Sequence, residues 1–289
     1  DRISALGGKP FLTGSSTLYK GRRSHAVDHL MQAYDHGFTP DKIGCPVVMC
    51  DGLRGSDRVT VEVPNAKHCH LAYLGSGVAL MESLVVVTHP TGHIATGYGA
   101  SMKNVGMGLA NRGGKMAMHH GNYPNFLKDK CKVCGRCAKW CPENAIVVEK
   151  TARVTKKKCV GCGECLSVCP HDAIDFDWTQ DGQDLQERVV EYCAAAHAQL
   201  KGRILYLNVT RHFQEGCDCF DTRQEAVCPD VGVLASRDLV AVDTATADLL
   251  ARAAGKDIVQ TAGGRDYRGM LAYGAKMGLG SCAYELIEV

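Results

Sequence analysis

Eight cysteines in the middle of the chain carry the clearest chemical signal. Cys131, Cys134, Cys137 and Cys141 are followed by Pro142, and Cys159, Cys162, Cys165 and Cys169 by Pro170, so C-x-x-C-x-x-C-x-x-x-C-P is written twice, 28 residues apart. Thiolates at this spacing hold soft metal centres. The doubled run is the bacterial ferredoxin pattern for cubane iron–sulfur clusters, in which three closely spaced cysteines hold one cluster and the fourth reaches the other. The expected ligand sets are therefore crossed: Cys131, Cys134, Cys137 and Cys169 on cluster one, and Cys159, Cys162, Cys165 and Cys141 on cluster two. The copies agree beyond the ligands, at Gly135 and Gly163 and in the Ala-Ile pairs that begin at Ala145 and Ala173. Zinc knuckles also use C-x-x-C pairs, but eight thiolates in this doubled spacing, with both prolines, exceed what zinc needs. Two [4Fe–4S] clusters with four protein ligands each leave no iron open for bond chemistry. Their expected work is conduction, one electron each, at low potential.

Two further groups are candidates for chemistry. Cys217 and Cys219 stand two apart and, on an extended chain, point the same way, with Cys228 ahead of Pro229 as a third thiol that could share a metal with them. A further metal or cluster, a redox-active thiol pair and plain structural cysteines are all open there. The segment from His89 to Lys115 leaves an apolar run and packs seven glycines beside His89, His93, Lys103, Asn104, Arg112 and Lys115. Glycine-rich backbone after a strand often approaches an anion or cofactor closely, with N–H groups and lysines supplying charge, so His89, His93, Lys103, Asn104 and Lys115 form a candidate ligand or anion loop. It matches neither a phosphate-loop nor a dinucleotide fingerprint, and turns with close helix packing explain the glycines equally. Cys45, Cys50, Cys69, Cys193 and Cys282 read as buried small hydrophobes, and His119 and His120 as a solvated turn or a junction.

The elements that must position these groups alternate. KPFLTG, PVVMCDG and LVVVTH read as short buried strands before the cysteine runs. Between the first two, SHAVDHLMQAYDHG has helical spacing, with Ser24 as its cap and Gly37 as its stop. After the cysteine runs come a helix in DLQERVVEYCAAAHAQLKG, strands at RILYLNV and VGVLAS, and a helix in LVAVDTATADLLARAAG. This order predicts an α/β fold, a layered body with a largely parallel sheet, interrupted by an inserted α+β ferredoxin module. The expected domains are residues 1–125 for the first part of the body, 126–178 for the insert and 179–289 for the second part.

Composition bounds the function. The 289 residues carry 45% hydrophobic side chains, enough for a real core, and only 6% aromatics. With 33 basic and 31 acidic residues, the net charge of +2 gives no electrostatic case for nucleic acid. The longest apolar run, Ser76 to His89, is broken by Glu82 and too short to span a bilayer. Sixteen cysteines in a chain of this size, half of them at metal-ligand spacing, fit a reducing cytoplasm better than a disulfide framework.

Over nearly its whole length the chain resembles a known family. GGKPFLTGSSTLYKGRRSHAVDHL, TGHIATGYGASMKNVGMGLANRGGK, the double cysteine run, and CDCF followed by DVGVLASRDLVAVDTATADLL resemble the iron–sulfur proteins grouped under Domain of Unknown Function 362. The resemblance implies a cytoplasmic protein of anaerobes or facultative anaerobes, with an α/β body and an inserted two-cluster ferredoxin. It implies no particular reaction. Members usually begin with further α/β sequence, so an N-terminal strand or more is expected to be missing here. The function expected is low-potential electron transfer to or from a partner redox enzyme, with Lys156 to Lys158 steering an acidic partner. The alternative is a reductase with its own active site in the body, near residues 89–115 or the Cys217, Cys219 and Cys228 group, fed by the insert. An iron–sulfur scaffold or regulatory binding module is a third possibility.

Overall fold

The computed structural model describes residues 2–18, 21–119, 123–175, 183–219, 222–261 and 265–289. The expected domain boundary at 178 and 179 lies outside the described residues, as does His120. The chain divides into two compact units: Asp1–Thr60, Tyr73–Leu80 and Leu109–Gln180 form one, and Val61–Ala72, Met81–Gly108 and Asp181–Val289 the other.

In the first unit, Leu12–Gly14 and Val47–Met49 pair in parallel, Leu12 opposite Val47. Between them lies the helix Ala26–Asp35. Its cap is His25 rather than Ser24: the His25 ring accepts from the Val27 N–H, while the Ser24 hydroxyl donates to the Gly21 carbonyl inside a preceding 3-10 turn. Gly37 does follow the helix end, with φ at 89°. The helix Arg112–Met118 is capped by Asn111, whose side-chain oxygen accepts from the Gly114 N–H at 2.8 Å. Lys115 on that helix is buried, and its ammonium donates to the Ser15 hydroxyl at 2.5 Å and to the carbonyls of Ser16 and Ala110, each at 2.8 Å. A buried ammonium is tolerable only when its protons are matched in this way. Asp51 does the reciprocal work, accepting from the Ser16 N–H at 2.8 Å.

The cysteine repeats belong to this unit and repeat their backbone as well as their sequence. Short helices Arg136–Lys139 and Glu164–Ser167 each follow a left-handed glycine, Gly135 and Gly163, both with φ at 74°. Val133 matches Gly161, and Asn144 matches Asp172, at positive φ. Ile146–Val148 pairs antiparallel with Ala152–Val154, and Ile174–Asp175 with Asn125–Phe126. Cys137, Ile146, Ala152, Cys165 and Ile174 form the shared core.

The second unit is built on a three-stranded sheet in the order Gly232–Ser236, Ile204–Thr210, Leu84–Thr88. The pair of Ile204–Thr210 with Leu84–Thr88 is parallel, and its pair with Gly232–Ser236 is antiparallel. The fold is thus mixed α/β with small sheets, some parallel, rather than one largely parallel sheet. No helix occurs among the described residues of the 211–231 connection, and without a crossover the returning strand runs antiparallel. The run LVVVTH is also not buried on both faces: Val86 is buried, while Val87 is 62% exposed, as a sheet covered on one side requires.

The helices Gln183–Leu200 and Leu239–Ala254 form where the apolar spacing placed them. Asp238 caps the second, accepting from the Ala241 N–H at 2.8 Å, and left-handed Gly255 ends it. The shorter helix Ser101–Gly108 crosses Gln183–Leu200 at Gly106, where an added Cβ would lie 2.6 Å from the Val189 carbonyl oxygen. Its N-terminus is held from another helix. Asp243, fully buried, accepts from the Ser101 N–H at 3.0 Å, the Met102 N–H at 2.8 Å and the Asn208 amide at 2.9 Å. Among the described residues, no helix is long and apolar enough to cross a membrane.

Asp243→Ala removes the anchor of that helix and strands the Asn208 amide and two backbone N–H groups. We expect a loss of about 3 kcal/mol, read as a lowered urea midpoint at unchanged slope. Asp243→Asn, which keeps one acceptor, should fall in between.

Candidate functional site

Folding brings the eight repeat cysteines around two cavities. One is lined by Cys141, Cys159, Cys162 and Cys165, with Met116 and Leu166 beside them. The other is lined by Cys131, Cys134, Cys137 and Cys169. Each cavity therefore takes three cysteines from one repeat and the fourth from the other. Cysteines of both repeats pack on one shared core, Cys137 and Cys165 within it and Cys131, Cys141 and Cys169 against it. The fourth cysteines are also held alike: the Ala145 N–H donates to Cys141 Sγ at 3.2 Å and the Ala173 N–H to Cys169 Sγ at 3.3 Å.

Burial and hydrogen bonding act in opposite directions in the cavities: backbone hydrogen bonds at Ala152 and Val133 lower the Cys131 thiol, while burial raises its neighbours. Burial pushes the Cys137 thiol up, and the charges of Cys169, Cys134 and Cys131 push it further. Burial raises Cys165 strongly, with Cys162, Cys159 and Cys141 adding to it, and Cys159 and Cys162 rise for the same reasons. Four crowded thiolates repel one another, and a bound metal centre relieves that repulsion as the protons leave. The helix Arg112–Met118 backs the cavity of Cys141, Cys159, Cys162 and Cys165, which Met116 lines. A Cβ at Gly163 would lie 2.8 Å from Arg112 Cγ, and Arg112 is almost wholly buried, its guanidinium donating to the Ser24 carbonyl. Its Nε has no acceptor among the described residues, an uncompensated donor of the kind an anionic centre satisfies. Four cysteines in each cavity, and beside one of them this orphan N–H, are a donor set that fits a thiolate-bound iron–sulfur group.

The glycine-rich segment does not act as one loop. Lys115 lies in the first unit, committed to the carbonyls described above. The other four candidates lie in the second unit. Asn104 donates to Thr88 Oγ1 at 2.9 Å and to the Val87 carbonyl at 3.2 Å, a structural brace. His89 spans Asp218, at 2.7 Å from Nδ1, and the Arg211 carbonyl, at 2.7 Å from Nε2. The hydrogen bond to Asp218 raises the His89 pKa, against partial burial. His93 and Lys103 turn instead toward Cys217.

Cys217 and Cys219 do not lie on extended chain: a turn at Asp218 brings their sulfurs to 2.7 Å, the Cys219 thiol donating to Cys217. Lys103 Nζ stands 3.6 Å from Cys217 Sγ, and the Cys219 N–H 3.3 Å from it. The Cys219 hydrogen bond, outweighing burial, lowers the Cys217 thiol far below the usual range, with His93 and Lys103 adding to the shift. Cys228 is buried and its thiol raised by burial. Among the described residues, its sulfur does not join those of Cys217 and Cys219 within 4.8 Å.

Of the remaining cysteines, Cys50, Cys69 and Cys193 are buried as expected, whereas Cys45 is half-buried and Cys282 is exposed near the chain end. One constellation escaped the sequence reading. His68, Asp184 and Glu187 place one ligand atom each within 4.8 Å, and the signal that existed was the one-turn spacing of Asp184 and Glu187 on a helix face. Both oxygens of Glu187 already receive the Lys67 ammonium, at 3.0 and 2.8 Å. A metal here would have to displace that lysine.

The class these observations define is a mixed α/β protein with two cavities, each lined by four cysteines. The family model described as "Domain of unknown function (DUF362)" matches residues 1–248, and the chain belongs to that family. No curated protein matches it.

His89 supports the Cys217–Cys219 turn through Asp218, and its raised pKa fixes the sign of the pH dependence. The stabilisation is full below the ordinary imidazole value of about 6.5 and is lost as pH rises through the raised folded value. The difference in Tm between the wild type and His89→Gln should therefore be largest near about pH 6 and shrink in alkaline buffer.

Proposed function

We propose that this protein transfers electrons at low potential through two [4Fe–4S] clusters, to or from a partner redox enzyme. The observation that supports the reading is the lining of the two cavities by crossed sets of four cysteines. On this reading residues 126–178 form a two-cluster ferredoxin module. Cys131, Cys134, Cys137 and Cys169 hold cluster one, and Cys159, Cys162, Cys165 and Cys141 hold cluster two. When bound, each cluster takes up or gives one electron. The chain's own residues set the conditions: the Ala145 and Ala173 N–H groups face the fourth sulfur of each repeat, and buried Arg112 stands beside Cys165 and Glu164. Donors to sulfur and nearby positive charge favour the reduced, more negative state.

A partner that supplies or takes these electrons needs a landing surface. Lys156 to Lys158 form an exposed 3-10 turn immediately before Cys159, three like charges that favour an acidic redox protein and make the encounter salt-dependent.

Anaerobically prepared protein should contain about eight irons and as many acid-labile sulfides per chain, with two interacting signals in electron paramagnetic resonance after reduction. Cys141→Ser should damage cluster two and spare cluster one. Zinc in place of iron, or selective loss of cluster one in that variant, would overturn the assignment.

A further inference from the structure

The Cys217–Cys219 pair lies in the second unit and needs no cluster to explain it. Cys217 Sγ faces a set of donors: the Cys219 thiol, the Cys219 N–H, the Lys103 ammonium and the His93 ring. The histidine is fixed in this role, because its Nδ1 already accepts the Ala95 and Thr96 N–H groups, at 3.2 and 3.1 Å. The ring proton is thereby left on Nε2, the nitrogen that donates to sulfur. A metal at this sulfur would have to share its surroundings with an ammonium and an imidazole N–H. Donors converging on one sulfur favour its thiolate form. The second sulfur differs in one respect that matters: Cys217 is 7% exposed, whereas Cys219 is half-buried and accessible. The turn that joins them is braced at Asp218, which accepts from His89 and, at 2.8 Å, from the Gln214 amide.

We propose that Cys217 and Cys219 form a dithiol–disulfide centre that exchanges with thiols, Cys219 being the sulfur attacked and Cys217 the leaving group. In the oxidised form, a substrate thiolate attacks Cys219 Sγ. A new bond forms between the substrate sulfur and Cys219, the Cys217–Cys219 bond breaks, and Cys217 leaves as a thiolate received by Lys103 and His93. A second substrate thiolate then attacks the substrate sulfur of this mixed disulfide and displaces Cys219. Two substrate thiols become one disulfide, and the pair gains two electrons. A low-molecular-weight disulfide returns the pair to its oxidised form by the reverse exchange. A stabilised leaving thiolate both speeds the first step and makes the disulfide a stronger oxidant. The substrates that fit are therefore paired thiols, on a protein or a small molecule.

The test uses the full chain, prepared anaerobically and equilibrated in glutathione buffers of graded ratio, then acid-quenched, alkylated and read by the mass of the peptide containing residues 217–219. The wild-type pair should pass from dithiol to internal disulfide across the series. Lys103→Met, with unchanged far-ultraviolet circular dichroism, should shift that equilibrium at least tenfold toward the disulfide, a potential lower by about 30 mV. Cys217→Ser should trap glutathione on Cys219, and Cys219→Ser should leave Cys217 largely unmodified. Absence of a 217–219 disulfide at every ratio, an unmoved midpoint in folded Lys103→Met, or a metal found by native mass spectrometry to need both cysteines would overturn the proposal. None of these readouts depends on the iron content, so the electron-transfer reading stands or falls separately.

Discussion

The carboxylate of Asp243, with no accessible surface of its own, is the constraint on which the second unit depends. Burial pushes its pKa up to about 6, opposed by the Asn208 amide and by the backbone N–H groups of Met102 and Ser101. An acceptor so placed ties a long helix, a central strand and the start of a short helix to one point. Ser101 then donates to Asn208 at 2.7 Å, and Asn208 to Thr246 at 3.0 Å, so the network closes on itself. Partly satisfied, such a network would cost more than an apolar core. Satisfied, it fixes the direction of Ser101–Gly108, and with it Lys103, whose ammonium faces Cys217.

The first unit solves the opposite problem with a buried ammonium. Lys115 takes two carbonyls and a hydroxyl and thereby locks Arg112–Met118 against the loop after Leu12–Gly14. The same helix then presents Met116 to the cavity of Cys141, Cys159, Cys162 and Cys165, and Arg112 to Gly163 in its wall. In both units a charged residue from the glycine-rich segment has a defined task, but the tasks are unrelated. Lysines that look equivalent in sequence, Lys103 and Lys115, serve a thiol in one case and backbone oxygens in the other.

Much of the local structure was legible because periodicity and punctuation are local properties. The strands Leu84–Thr88, Ile204–Thr210 and Gly232–Ser236 and the helices Gln183–Leu200 and Leu239–Ala254 lie where apolar spacing and Gly, Pro or Asp boundaries put them. The exceptions have physical causes. Ser24 lost the cap to His25 because its hydroxyl found a nearer carbonyl at Gly21. The direction of Gly232–Ser236 depended on what its connection contained, not on its own residues. Gly106 served helix packing because Val189 arrives from a helix some eighty residues away, a distance no window of sequence can see.

By itself the sequence determined the pairing of eight cysteines into two repeats, since ligand spacing within a turn is a property of adjacent residues. It also determined family membership and the α/β class, though not the antiparallel direction of Gly232–Ser236. Only the tertiary structure decided that Cys217 and Cys219 meet at a turn without Cys228, and that His93 and Lys103 attend them. It alone brought His68 to Glu187. These meetings depend on how the chain folds back on itself, so residues more than a hundred positions apart acquire a common chemistry only after folding.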